Sequence, residues 1–358
     1  MPLLHSPPRL HCTGGASRDG TRGARLASTG EGESGWSTSG VDGVYWGRRG
    51  GHDLLVRRVP LPEPLRARPF SVGEASALGL PRSRLRAADL VSPHRGVRAS
   101  VVGEGALAAC SAVAPLLRPD EFVAHVTALW LWGLPLPGRH EGGAVLHLGS
   151  ARARQRRRAG VVGHLYSGGC RVHVVRGIRV ASPVDAWVQA APDLSTDELV
   201  VLGEALAGRW SPLAPARDVE VGRLVDAVAA AQGRRGARAL REAVELVRPG
   251  VLSPRETVLR LLFTRAGLPE PAINAPAHGA SGRYLGRPDL SWPEARLGVE
   301  YEGDVHRDRD VFRRDVERVE RFHDEGWRLI RVSGDDLRPP RDRHLIERVA
   351  GALAARTS

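Results

Sequence analysis

Two short runs near the C-terminus, residues 287–292 and 297–303, alternate between hydrophobic and polar residues. This period of two predicts half-buried strands, and the Pro-Glu-Ala-Arg segment at 293–296 predicts a turn between them. A two-residue loop at the centre of that turn sets Leu290 opposite Val299 and Asp289 opposite Glu300. The hairpin therefore has one apolar and one acidic face.

Glu302 lies on the same face as Glu300, because strand side chains repeat every second residue. Like charges set opposite one another destabilise a hairpin unless another group compensates them. We expect a divalent cation in that role. Mg²⁺ (or Mn²⁺) fits, since it prefers oxygen ligands and uses one or two carboxylates together with water and phosphate oxygens.

The pattern around the hairpin predicts the rest of a C-terminal domain at residues 251–358. A capping box at Ser253 and Glu256 begins a helix that ends near residue 266. A helix over 309–325, a strand over 327–332 and a helix over 341–355 follow the hairpin. This order predicts an α/β sandwich, an α+β arrangement with a mixed sheet.

Residues 1–58 are rich in Gly, Ser, Thr and Arg and show no hydrophobic period. This composition predicts disorder. The other interpretation is that translation starts further downstream and that the segment is never made.

Residues 59–105 carry the pattern of a winged helix-turn-helix. A capping box at Ser71 and Glu74 predicts a short helix that Gly79 ends, and residues 81–89 predict a second helix. A strand pair around residues 90–91 and 96–98 completes the outline. The alternative is a generic helical hairpin with a solvated arginine face. The candidate DNA contacts are Arg82, Arg84, Arg86 and Arg95.

Residues 106–250 predict a mixed α/β middle region. Helices are expected over 107–117, 120–132 and 219–246, and after a capping box that begins at Ser195. Strands are expected over 144–148, 160–165 and 172–180. No catalytic spacing is recognisable in this region.

Composition adds an expected partner and compartment. The net charge of +12 and the pI near 11 favour a polyanionic partner, here DNA. All 52 basic residues are Arg, a bias that indicates a GC-rich coding sequence rather than a function. The three cysteines, Cys12, Cys110 and Cys170, form no pairing framework or metal spacing. They fit a reducing cytoplasm without a disulfide-linked partner. No apolar run approaches a membrane span.

Several spaced residues together resemble a PD-(D/E)XK-type nuclease domain, closest to the uncharacterised bacterial branch related to very-short-patch-repair endonucleases. The resemblance rests on Asp289, Glu300-Tyr301-Glu302-Gly303, His306, Asp315-Val316-Glu317-Arg318, Gly326-Trp327 and Arg331-Val332. It implies a restriction-endonuclease-like fold in which Asp289 and Glu300 hold Mg²⁺ and Glu256 assists. From the residues themselves, His306, four residues beyond Glu302, is a candidate general base or proton donor. Arg318 is a candidate for holding a phosphate, with Asp315 orienting either Arg318 or His306. Residues 59–105 resemble the N-terminal DNA-binding domain of AbiEi-type abortive-infection antitoxins.

The sequence departs from the nuclease pattern at one position. The superfamily has a Lys two residues after the metal-binding Glu, and this chain has Glu302. The acid is either a third metal ligand or the mark of a module that has lost its chemistry. The expected function is that of a Mg²⁺-dependent DNA endonuclease, with Asp289, Glu300, Glu302, His306 and Arg318 as its catalytic residues. The alternative is a non-catalytic DNA-binding transcriptional regulator or antitoxin of AbiEi type.

Overall fold

The computed structural model describes residues 44–49, 52–57, 59–101, 103–140, 145–151, 157–166, 169–303 and 309–357. The chain divides into two units, Met1–Pro60 and Leu61–Ser358. In the first unit, strand β1 (Val44–Arg49) pairs antiparallel with β2 (His52–Arg57). The sequence predicts disorder over residues 1–58, and the structure differs from that prediction by this hairpin. Residues 1–43 lie outside the described part of the chain.

The second unit begins with α1 (Glu63–Arg66), β3 (Phe70–Ser71), α2 (Val72–Ala77) and β4 (Val97–Arg98). The Ser71 hydroxyl accepts a hydrogen bond from the Glu74 N–H, as predicted for the start of α2. The predicted second helix is only a 3-10 turn, Arg84–Arg86. A segment this short has little helical stability of its own, and tertiary contacts decide its conformation. β4 pairs with β3, while Val91 and Ala99 form an isolated antiparallel bridge.

The middle region is a six-stranded mixed sheet covered by helices. The strands are β5 (Glu121–Val123), β6 (Leu146–Ser150), β7 (Arg157–Arg158), β8 (Val161–Leu165), β9 (Val172–Val175) and β10 (Ile178–Ala181). Their order in the sheet is β7-β8-β6-β5-β10-β9. The helices are α3 (Gly105–Val113), α4 (His125–Leu131), α5 (Pro183–Ala190), α6 (Thr196–Ala207), α7 (Val221–Ala230) and α8 (Ala237–Leu246).

Left-handed residues divide three segments that the sequence predicts as single elements. The 120–132 segment is a strand followed by a helix, and His125 at the junction has φ +59°. The 172–180 segment turns back at Arg176 and Gly177, which have φ +49° and +78°. Two consecutive positive φ values favour a tight β-hairpin. The 219–246 segment breaks at Gly233 and Gly236, both with positive φ. The capping box at Ser195 is present in full.

The C-terminal region contains a four-stranded mixed sheet and three helices. Its helices are α9 (Pro254–Arg265), α10 (Arg309–Asp324) and α11 (Arg341–Thr357). Its strands are β11 (Ala272–Ile273), β12 (Ala277–His278), β13 (Tyr284–Gly286), β14 (Leu290–Trp292), β15 (Leu297–Tyr301) and β16 (Arg328–Val332). The sheet order is β11-β14-β15-β16, with β15 and β16 parallel, while β12 and β13 form a separate antiparallel pair.

The predicted register of the acidic hairpin is confirmed. Leu290 pairs with Val299, and the flanking pairs continue the same register down to the turn. The turn itself is a 3-10 segment, Pro293–Ala295, followed by Arg296 in the left-handed conformation. Alternation in the two strands specified the register because only one pairing buries both apolar rows together.

Helices cover both faces of this sheet. The face that carries Val299 and Ile330 packs against Leu259 of α9 and Val349 of α11. Leu329, which precedes Ile330 on β16, packs against the cluster that contains Phe322 of α10. Since adjacent strand residues point to opposite faces, α10 lies on the face that also carries Glu300. No helix in the described part of the chain is long and apolar enough to span a membrane.

A buried ion pair joins α6 of the middle region to α9 of the C-terminal region. The side chains of Glu204 and Arg260 are both inaccessible to solvent and bind each other. Glu204 also accepts hydrogen bonds from the Thr257 hydroxyl (2.6 Å) and the Arg248 N–H (3.0 Å).

The two mixed sheets and the helices packed against them confirm the predicted mixed α/β class. The winged-helix and restriction-endonuclease-like assignments stay predictions.

Candidate functional site

Asp289 directly precedes β14 and is fixed against the end of β15. Its Oδ2 accepts a hydrogen bond of 2.7 Å from the Tyr301 N–H. Its backbone carbonyl accepts a second one, of 2.9 Å, from the Asn274 N–H. These two bonds hold the carboxyl beside the strand that carries Glu300.

The environment of Asp289 disfavours its charged form. Burial raises the pKa of the carboxyl from 3.8 to about 6, although the hydrogen bond from the Tyr301 N–H opposes the rise. The nearby negative charges of Glu256 and Glu300 raise it further. A partly buried carboxyl with two acidic neighbours is a position where a cation gains binding energy.

Arg318 of α10 compensates the charge of Glu300. One guanidinium nitrogen lies 3.1 Å from Glu300 Oε2, and the other binds the second carboxylate oxygen. The guanidinium also lies over the Phe322 ring, 5.5 Å from its centroid. A Cβ at Gly286 would come within 3.1 Å of Arg318 Nε, so the glycine allows α10 to approach this closely.

Arg331 of β16 compensates the charge of Glu302. Its Nη1 lies 2.8 Å from Glu302 Oε1, and its Nη2 lies 2.6 Å from Asp315 Oδ2. The sequence predicts a divalent cation as the charge that makes the acidic face tolerable. In the structure, arginines from α10 and β16 supply much of that compensation, and Asp289 is the acid whose pKa remains well above its usual value.

Glu256 is buried at the start of α9 and is held by local bonds. Its Oε2 accepts hydrogen bonds from the Leu252 N–H (3.0 Å) and from Asn274 Nδ2 (2.7 Å). The Ser253 hydroxyl accepts one from the Glu256 N–H, so the predicted N-cap is present. Asn274 therefore links Glu256 to Asp289 through its side chain and its backbone.

The predicted DNA contacts separate into two groups. Arg82, Arg86 and Arg95 are exposed, as a phosphate contact requires. Arg84 is buried and forms a bidentate pair with Asp89, at 3.0 and 2.8 Å, so it is not available to a phosphate. His306 lies outside the described residues.

A cluster that the sequence did not predict lies in the middle region. Among the residues that the structure describes, one group of at least three His, Cys, Asp or Glu side chains has ligand atoms close enough together to bind a metal ion. It consists of His125, His147 and His164. The acidic residues of the hairpin do not form such a group. The three histidines come from separate elements, and nothing in their spacing along the chain indicates that they meet.

Two proteins of Mycobacterium tuberculosis are similar to this chain. "Uncharacterized protein MT2308" of strain CDC 1551 / Oshkosh and "Uncharacterized protein Rv2248" of strain ATCC 25618 / H37Rv are each 30% identical to it over 218 residues. The matched region covers 60% of this chain and 73% of each relative. No family model matches the chain. No solved structure gives a significant match.

Proposed function

The chain belongs to the family of these two uncharacterised mycobacterial proteins, and from its own residues we propose that it is a Mg²⁺-dependent DNA endonuclease. The observation that carries the proposal is the carboxyl of Asp289. It is partly buried, its neighbours Glu256 and Glu300 are acidic, and its pKa is raised to about 6. Such an arrangement costs stability in the protein alone, and a bound cation would offset that cost.

The donor set fits Mg²⁺ in part. Asp289 and Glu300 offer carboxylate oxygens, which this ion prefers, and Glu256 adds negative charge beside them. Glu300 is paired with Arg318, so the arginine has to release one or both oxygens before a metal uses them. When bound, the ion would supply charge neutralisation at the scissile phosphate and a more acidic bound water.

Arg318 has a second role in this proposal. Its guanidinium lies between the acidic hairpin and α10 and is about a quarter exposed. Guanidinium groups bind phosphate in the same bidentate manner as carboxylate. A DNA phosphate at the site would draw Arg318 away from Glu300 and free that carboxylate for the metal. Asp315 Oδ1 lies 3.8 Å from Arg318 Nη1, where it could orient the guanidinium towards a phosphate.

The second candidate is a DNA-binding regulator of antitoxin type that has no hydrolytic activity. The observation that favours it is the pairing of Glu302 with Arg331 at the position where the nuclease pattern has a Lys. A paired carboxylate there does not position an attacking water in the way that a lysine does. In this case the C-terminal region binds DNA or a protein partner through the same arginines.

A plasmid cleavage assay separates the two candidates. We expect wild type to nick supercoiled DNA with Mg²⁺ or Mn²⁺, and we expect Asp289→Ala and Glu300→Ala to lose this activity by at least about 100-fold. Asp335→Ala is the matched control, since Asp335 is an exposed acid whose ion pair is with Arg338, three residues along the chain. Cleavage that survives both site substitutions contradicts the assignment. Salt-sensitive DNA binding without cleavage in the presence of any tested metal favours the regulator.

DNA targeting by the N-terminal region has its own test. Replacing Arg82, Arg86 and Arg95 together by Ala is expected to reduce the slope of log affinity against log salt by about 0.9 for each lost phosphate contact. Arg209→Ala, at an exposed position in the middle region, is the control. An unchanged slope in the triple variant would place the DNA-binding surface elsewhere.

A further inference from the structure

Three histidines converge on one face of the six-stranded sheet. His147 is on β6, His164 is on the neighbouring parallel strand β8, and His125 is the first residue of α4, just after β5. The register sets His147 opposite Val162 and His164 opposite Gly149. His147 and His164 are therefore diagonal neighbours on the same face.

The imidazole nitrogens are close enough to share an ion. One ligand nitrogen from each histidine lies within 4.8 Å of the others, and His147 Nδ1 is 2.9 Å from His164 Nε2. The His125 ring stacks against the other two rings, with centroids at 4.5 and 4.8 Å. Zinc–nitrogen bonds of about 2.0–2.1 Å put tetrahedral ligands roughly 3.3 Å apart. The rings lie within 11–15° of parallel, so they have to turn about their Cβ–Cγ bonds before the three nitrogens converge at that separation. The ion then replaces the hydrogen bond between His147 and His164.

His125 carries a polar atom that needs a partner. The residue is 2% exposed, and its Nδ1 has no hydrogen-bond partner among the described residues. Buried polar atoms are nearly always paired, so an orphan nitrogen beside two further imidazoles indicates a missing ligand. The backbone of His125 is also in the left-handed conformation, which a β-carbon disfavours.

A carboxylate lies beside the cluster. Asp193 Oδ2 is 3.7 Å from His125 Nε2, where it can orient the ring. Its negative charge also favours a cation held by the three histidines.

The cluster lies beside a cavity of about 570 Å³. Its lining includes His125, His164, Tyr166, Gln189, Asp193 and Arg234. The Gln189 side-chain oxygen accepts a hydrogen bond from the His125 N–H, which fixes this wall. A metal held by the histidines would have one side facing the cavity, where water or a small anion could complete its coordination.

We propose that His125, His147 and His164 bind one Zn²⁺ ion whose fourth coordination position opens into this cavity. Three imidazoles select a borderline transition ion over Mg²⁺, which prefers oxygen ligands. The site is separate from the acidic hairpin, so its presence does not depend on nuclease activity.

Cobalt is the probe for this site, because four-coordinate Co²⁺ absorbs visible light and Zn²⁺ does not. Chelator-treated full-length protein is titrated with Co²⁺ and then with Zn²⁺. We expect one equivalent of Co²⁺ with strong d–d absorption, displaced by Zn²⁺. His164→Gln and His147→Gln are expected to weaken binding by more than about 100-fold, and Asp193→Asn by about 10- to 100-fold. His344→Gln, at an exposed position of α11, and Glu300→Gln are expected to match wild type.

A measurement on wild type alone guards against a variant that fails to fold. Zinc should protect His164, which is half-buried and lines the cavity, from diethyl pyrocarbonate in a peptide map, while the exposed His344 stays reactive. Wild type that binds no Co²⁺ and gains no protection overturns the proposal. Retention of the absorption by both strand variants, or its loss in Glu300→Gln, overturns it equally.

Discussion

Asp289→Asn is expected to stabilise the metal-free protein at neutral pH. The substitution keeps a side-chain oxygen that can accept the hydrogen bond from the Tyr301 N–H, at 2.7 Å in wild type, and it removes a carboxyl that the fold holds in an unfavourable environment. Most substitutions of a partly buried polar residue destabilise a protein. The opposite sign is therefore a specific consequence of the charge arrangement at this site.

The pKa gives the magnitude and the pH range. A rise from 3.8 to about 6 corresponds to about 3 kcal/mol, and solvent screening of a partly exposed carboxyl reduces this to roughly 1–2 kcal/mol. The folded protein binds the proton more tightly than the unfolded chain does. Wild type therefore loses stability as the pH rises from about 4 to above 6, and Asp289→Asn lacks this loss.

The assay is urea unfolding of both proteins in chelator, at several pH values between 4 and 8. The advantage of Asp289→Asn should grow through pH 6 and vanish near pH 4. Asp336→Asn is a control of opposite sign, because hydrogen bonds from the Ser333 N–H and hydroxyl lower the pKa of Asp336. That carboxyl contributes stability above its ordinary pKa, and the contribution is lost as the pH falls.

Two results would refute this reasoning. One is an Asp289→Asn variant that is no more stable than wild type at pH 7.5. The other is an advantage that does not change with pH, which would make it a packing effect. Adding Mn²⁺ provides a further check, since a bound cation should stabilise wild type and remove the advantage of the variant.

Two further predictions concern the other ion pairs. Arg260→Leu is expected to lower the free energy of unfolding in urea by about 3–5 kcal/mol, because it leaves Glu204 buried without a cation. Adding Glu204→Leu should recover much of that loss. A double variant whose loss is the sum of the two single losses would contradict this. Arg318→Gln is expected to lower the stability of the metal-free protein by roughly 1–3 kcal/mol. It should also enlarge the thermal shift that Mn²⁺ produces, since Glu300 is then free, and a smaller shift than in wild type would argue against a metal at this carboxylate.

The hairpin could be predicted from sequence because its information is local. The period of two, the turn residues and the need to bury Leu290 with Val299 all favour one register, and the structure has that register. Arg318 was expected at a phosphate, and its pairing with Glu300 depends on where α10 lies, which alternation along a strand does not encode. The pairing of Arg331 with Glu302 depends on the parallel pairing of β15 with β16, which the local pattern does not encode either.

Elements decided by tertiary contacts were predicted less well. Residues 81–89 have a helical pattern, yet Arg84 turns inward to Asp89 and the segment forms only a 3-10 turn. The histidine cluster escaped detection because β6 and β8 are adjacent only through the parallel pairing of the sheet. Three histidines without a common spacing carry no local signal, and a left-handed φ at His125 is not readable from its residue type.

The acidic face needs positive charge, and arginines of the protein supply part of it. Arg318 and Arg331 already bind Glu300 and Glu302, so a divalent ion competes with side chains of the protein itself. Under the proposed nuclease function, a DNA phosphate would resolve the competition, because it would attract the arginines and leave the carboxylates to the metal. Asp289, whose pKa is raised chiefly by burial and further by Glu256 and Glu300, would then be the first carboxyl to gain from the metal. On this argument, metal binding and DNA binding should each strengthen the other. If they do not, the regulator is favoured, which binds DNA through its arginines without a metal.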